Sequence, residues 1–384
     1  MEYSRREFGR LALAGVPATA FWLKTGSTLD AAAKPNSKWA GVQVGMNAPY
    51  NFGTGNYTAG DEILQKCVDL GVSAVELRAQ PVELFLGSPA AIAGAANAGR
   101  GRGNRGAGAA GGGAAAPAEG RRGGGGGRAA GAPGEALIGE PACVPGAGIT
   151  AAAAEPAAGG GRGRGAATPE DQAARAAAAE ETRKWRAGVS LNKVKEFRKK
   201  WEDAGVLIDI VKWDGIFDFS DDEIDYAFQL SKALGARALS SEITIGKTRR
   251  LGQFADKHKM QVGYHGHAAV SPAIWEATFA EAKYNAANLD LGHFVAGQNM
   301  SPVPFLKRYP DRITHVHVKD RKYCNGPNVP FGQGDTPIKE VLQLMRANKW
   351  RFQATIEFEY PVPAGSDRMA EIAKTIEYCK SCLV

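Results

Sequence analysis

Eight short runs rich in apolar residues, separated mostly by amphipathic stretches, set the main constraint on this chain. The runs are Val42 to Met46, Ala74 to Arg78, Val206 to Lys212, Ala238 to Thr244, Gln261 to His267, Ala287 to Gly292, Ile313 to Lys319 and Gln353 to Tyr360. Helical spacing is read over Asp61 to Leu70, Ala173 to Ala204, Asp221 to Leu234, Lys247 to His258, Trp275 to Tyr284, Pro302 to Arg308, Ile338 to Ala347 and Arg368 to Cys382. Ser220-Asp221-Asp222-Glu223 supplies an N-cap and an acidic first turn, and Asp335-Thr336-Pro337 puts proline where a helix begins. Strands that alternate with helices predict a parallel sheet, and eight such units in about 250 ordered residues predict a (β/α)8 TIM barrel. The competing architecture, an open doubly wound sheet, would carry a nucleotide loop after its first strand. Val44-Gly45-Met46-Asn47-Ala48-Pro49 is no such loop.

Between Ser88 and about Thr168 the chain collapses into Gly, Ala and Arg. So few large apolar side chains cannot offset backbone ordering at ~1 to 2 kcal/mol per residue, so a long disordered insertion after the second strand is predicted. The barrel then occupies residues 34–87 and 169–384, with the insertion at 88–168. Glycine spellings such as Gly99-Arg100-Gly101-Arg102-Gly103 neither follow a strand nor open a helix, which excludes a phosphate loop. At the N-terminus, Arg5-Arg6 precedes an apolar run from Leu11 to Leu23 and then Ala31-Ala32-Ala33. Residues 1–33 resemble a twin-arginine export signal. The expected location is periplasmic or secreted, with membrane anchoring if the signal stays uncleaved. The apolar run is well short of the ~20 residues a bilayer requires, and no later segment is apolar enough to span.

The formal charge of +7 is unevenly placed. Residues 1–34 contribute +2 and residues 88–168 contribute +4, which leaves +1 on the barrel. A near-neutral body offers little counterion release, so nucleic acid is not an expected partner. Five cysteines cannot all pair internally, and Cys379-Lys380-Ser381-Cys382 ends a helix instead of lying in the βαβ context of a redox motif.

The chemistry is concentrated in the last third. Tyr264-His265-Gly266-His267, Asn288-Leu289-Asp290-Leu291-Gly292-His293, His315-Val316-His317-Val318-Lys319-Asp320 and Ile356-Glu357-Phe358-Glu359 each read as a strand end. Imidazole and carboxylate delivered from successive strands suit a divalent metal at the barrel rim. Asp290 at its strand end, His317 near the rim and Glu357 between two apolar neighbours are expected metal ligands. Burying the last without compensation would be expensive. His315, deeper in its strand, is expected to be a core histidine. Glu242, His265 or His267 would complete the shell, since an open metal site takes three or four protein ligands. His265, His267 and Glu357 are the candidates for proton transfer. His293, placed in a loop above the rim, is expected to contact substrate together with Lys319, Asp320 and Glu359, with a Lys319–Asp320 salt bridge as the plain alternative for that pair.

Taken together with Gly332-Gln333-Gly334-Asp335, these motifs resemble the sugar phosphate isomerase/epimerase family of xylose isomerase-like TIM barrels, over about Val42 to Cys382 apart from the insertion. The resemblance implies one divalent metal ion, commonly Mn²⁺, held from the fifth to eighth strands; Zn²⁺, Co²⁺, Fe²⁺ and Mg²⁺ are alternatives. Asp290, His317 and Glu357 match the family's aspartate, histidine and final glutamate. The fifth strand departs from it, because His265 stands where epimerases carry a glutamate that binds metal and shuttles the proton.

The expected activity is isomerisation or epimerisation of a sugar, keto-sugar or cyclitol by proton abstraction next to a carbonyl. Elimination from a keto-glycoside or inosose with a histidine base is the alternative. A nuclease like endonuclease IV would need more histidines and a basic groove. The expected partner is a small carbohydrate, and a homo-oligomer is compatible with such a barrel.

Overall fold

A computed structural model describes residues 34–103 and 168–384. The predicted export signal, and positions 104–167 of the predicted insertion, lie outside the described residues. Eight parallel strands close into a barrel: β1 (Val42–Ala48), β2 (Ala74–Arg78), β3 (Leu207–Lys212), β4 (Ala238–Glu242), β5 (Gln261–His265), β6 (Asn285–Asp290), β7 (Ile313–Val318) and β8 (Gln353–Ile356). Closure is made by β1 on β8, with Val44 beside Ala354 and Met46 beside Ile356. A two-residue strand, Lys38–Trp39, runs antiparallel to the start of β1.

Helices cover the outside, and apolar side chains from both layers form one core, including Ile63, Trp201, Phe228, Val262 and Val341. The barrel interior is partly polar. Gln353 fills the space beside Gly45, where any Cβ would meet the amide nitrogen at 2.2 Å, and its Nε2 donates to Thr355 Oγ1 at 2.8 Å. Gly263 likewise leaves room for the Thr314 hydroxyl. These two glycines let polar side chains close the floor below the rim.

The eight predicted strands are all present, but five stop earlier than predicted. β4, β5, β6, β7 and β8 end at Glu242, His265, Asp290, Val318 and Ile356. That places His267 and Glu359 beyond the strands. The stretch predicted as one helix over Ala173 to Ala204 is two, Pro169–Gly188 and Val194–Asp203, separated by Val189-Ser190 and a 3-10 turn that Ser190 caps. The described start of the predicted insertion is not disordered: Pro89–Gly103 is helical, Ala91 is buried, and Gly94 lies against the Tyr57 ring. Alanine is the best helix former, so an Ala-rich run with one packed face escapes a composition argument. Helix Asp221–Ala233 starts as predicted, with Ser220 and Glu223 forming a reciprocal capping box that contributes about 1 kcal/mol. Cys379 and Cys382 are free thiols buried in the core.

Candidate metal centre

Strand register brings the histidines and acids to one end of the barrel. His265 and Asp290 are the last residues of β5 and β6; Asp290 lies beside His317, and Glu357 follows β8. One ligand atom from each of His265, Asp290, His317 and Glu357 lies within 4.8 Å of the others, and all four residues are buried. Each of the four side chains also carries an unsatisfied atom. His265 Nδ1, Asp290 Oδ2, His317 Nδ1 and Glu357 Oε2 are each buried without a hydrogen-bond partner. Buried polar atoms are nearly always satisfied, so four orphans at one point fit a cation coordinated by two imidazoles and two carboxylates.

The opposite atom of three of these side chains is already held. Asp290 Oδ1 accepts the His293 N–H at 2.7 Å and so caps the helix Leu291–Gln298. Asn47 on β1 donates to Glu357 Oε1 at 2.9 Å. His317 Nε2 lies 2.6 Å from Glu76 Oε2, and a carboxylate on one imidazole nitrogen orients the ring and leaves the other nitrogen for a metal. Glu76, on β2, also accepts from Ser240 and lies 3.3 Å from His315 Nε2. His315 is fully buried, as expected of a core histidine, though it shares Glu76 with His317. Burial lowers the pKa of His265 and keeps its imidazole neutral, the form a metal requires. Burial would lower His317 as well, but Glu357 and Glu76 outweigh it and hold the ring up at about 10, so a metal at this point would have to displace the proton from Nδ1, which lies 3.2 Å from Glu357 Oε2.

Lys319 is the second cationic element. Its buried Nζ lies 3.1 Å from Asp290 Oδ2, 2.9 Å from Glu357 Oε2, 2.6 Å from Glu359 Oε2 and 2.9 Å from His293 Nε2. Burial alone would lower its pKa, yet the three carboxylates raise it well above the ordinary lysine value. Asp290 Oδ2 and Glu357 Oε2 therefore have ion-pair neighbours in Lys319 and, for Glu357, in His317 Nδ1 at 3.2 Å, although they lack a well-directed hydrogen bond.

Glu242 is outside the four-atom cluster. Its carboxylate lies 2.6 Å from Lys212 Nζ on β3 and 3.2 Å from His267 Nε2. His267 is about one-third exposed and stacks on His293 with ring centroids 4.6 Å apart. The hydrogen bond and charge of Glu242 raise the His267 pKa against its partial burial. His265, His267 and His293 also bring nitrogens within 4.8 Å of one another, as do ligand atoms of His293, Glu357 and Glu359.

His293 is in the first turn of a helix, not in the loop predicted for it, with Arg321 Nη1 2.8 Å from its Nδ1. Asp320 does not pair with Lys319. It accepts the backbone N–H groups of Gly332, Gly334 and Thr336 at 2.8, 2.9 and 3.2 Å, and thereby shapes the loop after β7. Sequence reasoning missed Asn47, Glu76 and Lys212; the available signal was a polar residue that the structure buries within a largely apolar strand.

Residues 222–382 match the family described as xylose isomerase-like TIM barrel. Over 77 residues the chain is 38% identical to an inosose dehydratase of Clostridium botulinum, a stretch that spans 18% of this chain and 25% of that relative. Among solved structures, the probable 3-DHS dehydratase involved in petrobactin synthesis from Bacillus anthracis is 10% identical, with a TM-score of 0.49, over 88% of this chain and 99% of the other. The 3-keto-D-glucoside 4-epimerase of E. coli is 14% identical, with a TM-score of 0.39, over 53% and 94%. Likeness at these levels assigns no activity. The matched residues hold β4 to β8 and every member of the four-atom cluster, so it is the part of the chain that carries the candidate site that matches the xylose isomerase-like TIM barrel family.

Proposed function

We propose that this protein removes a proton from the carbon next to a carbonyl in a sugar, keto-sugar or cyclitol, as an isomerase or epimerase that works with one divalent metal ion, Mn²⁺ first. The observation that carries this reading is the set of four orphaned, buried ligand atoms contributed from β5 to β8. His265, Asp290, His317 and Glu357 would hold the ion. When bound, it would polarise a carbonyl and its neighbouring hydroxyl and so acidify the adjacent C–H.

The fourth ligand is then His265, which leaves His267 to move the proton. His267 is partly exposed to the rim and oriented by Glu242 through one ring nitrogen, the arrangement of a base held by a carboxylate. Lys212, fully buried behind Glu242, keeps that carboxylate charged. On the other side of the cluster, Lys319 and Glu359 can bind substrate hydroxyls and return or accept a second proton. Groups on two sides suit epimerisation.

A second reading, dehydration, draws support from the local likeness to an inosose dehydratase and from histidine in place of glutamate at the fifth strand. Loss of the same proton followed by departure of a β-hydroxyl would give it. Incubating Mn²⁺-loaded protein with ketoses and inososes in D₂O tests both readings. Solvent deuterium at one carbon is expected, with an epimer or isomer as product under the first reading and an enone under the second. Stoichiometrically loaded protein that exchanges no carbon-bound hydrogen in either substrate class refutes the proposal.

A further inference from the structure

Beside Glu359 a cavity of about 470 Å³ opens at the rim, and its lining does not belong to the metal cluster. Its walls include Tyr50, Asn56, Asn328, Phe358 and Arg368. Tyr50 OH donates to Glu359 Oε1 at 2.5 Å, and Lys319 Nζ donates to Glu359 Oε2 at 2.6 Å. Glu359 is therefore shared between the cavity and the lysine that touches two cluster carboxylates. Asn328 contributes a buried carbonyl oxygen with no hydrogen-bond partner, while its Nδ2 donates to Glu359 at 3.3 Å.

Arg368 is the distinctive member. Its Nη1 donates to the Asn51 carbonyl at 2.9 Å, and the guanidinium lies over the Phe358 ring with its carbon 4.9 Å from the centroid. These contacts fix the group in place. Among the described residues no carboxylate pairs with it. A half-buried guanidinium with free donors, fixed on an aromatic face, is built to take planar or tetrahedral oxyanions.

Resting on the carbohydrate reading above, we propose that this cavity is the subsite for the end of the substrate remote from the reacting carbons, and that Arg368 selects an anionic group there. The substrate class is then an acidic sugar or cyclitol bearing a carboxylate or a phosphate. Tyr50, Asn328 and Glu359 would bind the intervening hydroxyls, and the Phe358 ring would meet the apolar face of the sugar.

Titration calorimetry of the metal-loaded full-length chain with D-glucose, D-glucuronate, D-glucose 6-phosphate and inorganic phosphate tests this without turnover. One or both sugar anions should bind about tenfold or more tightly than glucose, the scale of a charge-assisted hydrogen bond. Which anion is preferred tells carboxylate from phosphate. Arg368→Met should bring the anion-to-glucose ratio close to one, and Arg368→Lys should keep part of it. Loss of packing alone would weaken all sugars alike and leave the ratio unchanged. The proposal is overturned by a ratio near one in the native chain, by a ratio that survives Arg368→Met, by inorganic phosphate binding as tightly as glucose 6-phosphate, or by no saturable sugar binding. Failure of deuterium exchange would leave a charge-dependent binding result standing, so the two readings fail separately.

Discussion

The two halves of the barrel contribute different things to the same site. Strands β5 to β8 present the four orphaned ligand atoms. Strands β1 to β4 present groups that hold those ligands or their neighbours: Asn47 on Glu357, Glu76 on His317, and Lys212 with Glu242 behind His267. All of these except Glu242 are buried, yet they differ in hydrogen bonding. The first half points satisfied atoms at the second, and the second half is left with unsatisfied atoms at the centre. That division is what a pre-oriented metal site requires, because ligand rings and carboxylates must be fixed before the ion arrives.

Removing a ligand should have the largest effect. Asp290→Ala and His317→Ala are each expected to abolish stoichiometric metal binding and nearly all turnover, with the barrel still melting cooperatively. Elemental analysis checks this, and full metal retention in Asp290→Ala would break the assignment of ligands to the second half. Asp290 also caps a helix, so Asp290→Asn, which keeps an acceptor oxygen for the His293 N–H, separates loss of charge from loss of the cap.

The histidines proposed for proton transfer and for the fourth ligand come next. His267→Asn should retain metal and lower turnover by ~10² to 10⁴, the effect of losing a positioned acid or base. His265→Asn should lose metal and turnover together. If His265→Asn keeps its metal while Glu242→Gln loses it, the boundary between the halves is wrongly drawn and Glu242 is the fourth ligand.

How visible each half was in the sequence follows the same line. Asp290, His317 and Glu357 were legible because histidine and acid recur at four successive strand ends, a pattern that core packing does not produce. Glu76 in Ala74-Val75-Glu76-Leu77-Arg78 and Lys212 at the end of its apolar strand were not legible. Each is a single charged residue with no motif around it, whose partner, His317 or Glu242, lies 241 or 30 positions away. Pairings at such separations exist only once the barrel has closed. The choice between His265 and His267 was also beyond the sequence, since both read as the end of one strand and only the end of β5 at His265 distinguishes them. The helix Leu291–Gln298 was missed because Leu291-Gly292-His293-Phe294-Val295-Ala296-Gly297 is nearly apolar throughout and shows no helical period; the N-cap at Asp290 was its one signal. The strand count and barrel class were legible because each βα unit is a local pattern.

Glu76→Gln sharpens the comparison, since it alters a supporting residue while leaving all four proposed ligands in place. Glutamine keeps an oxygen for the imidazole N–H but removes the charge that fixes it. Metal affinity should fall by ~10- to 100-fold, the usual cost of losing a carboxylate behind a ligating histidine. Competition with a chelator measures it. Unchanged affinity would reduce Glu76 to a packing role and would leave His317 oriented by Asn288 alone, whose Nδ2 lies 3.1 Å from the same nitrogen.

The smallest effect is expected at Lys212, and it bears on how far support extends from the metal. Two fully buried lysines flank the site, Lys319 against the cluster carboxylates and Lys212 against Glu242. Removing one partner of a buried ion pair is costly when the remaining charge is sealed from water. Glu242 is not sealed, because its side chain is 41% exposed and it still contacts His267. Lys212→Met, which preserves most of the buried volume, should therefore leave metal content unchanged and the melting temperature close to the native value. It should lower turnover less than His267→Asn does, because Glu242 loses the ammonium that orients it toward His267. Lys319→Met, which uncovers Asp290 and Glu357 directly, should change metal affinity instead. Thermal unfolding, elemental analysis and deuterium exchange on the two variants separate these outcomes, and a Lys212→Met protein that loses metal would show that the supporting half reaches the ligands through Glu242 after all.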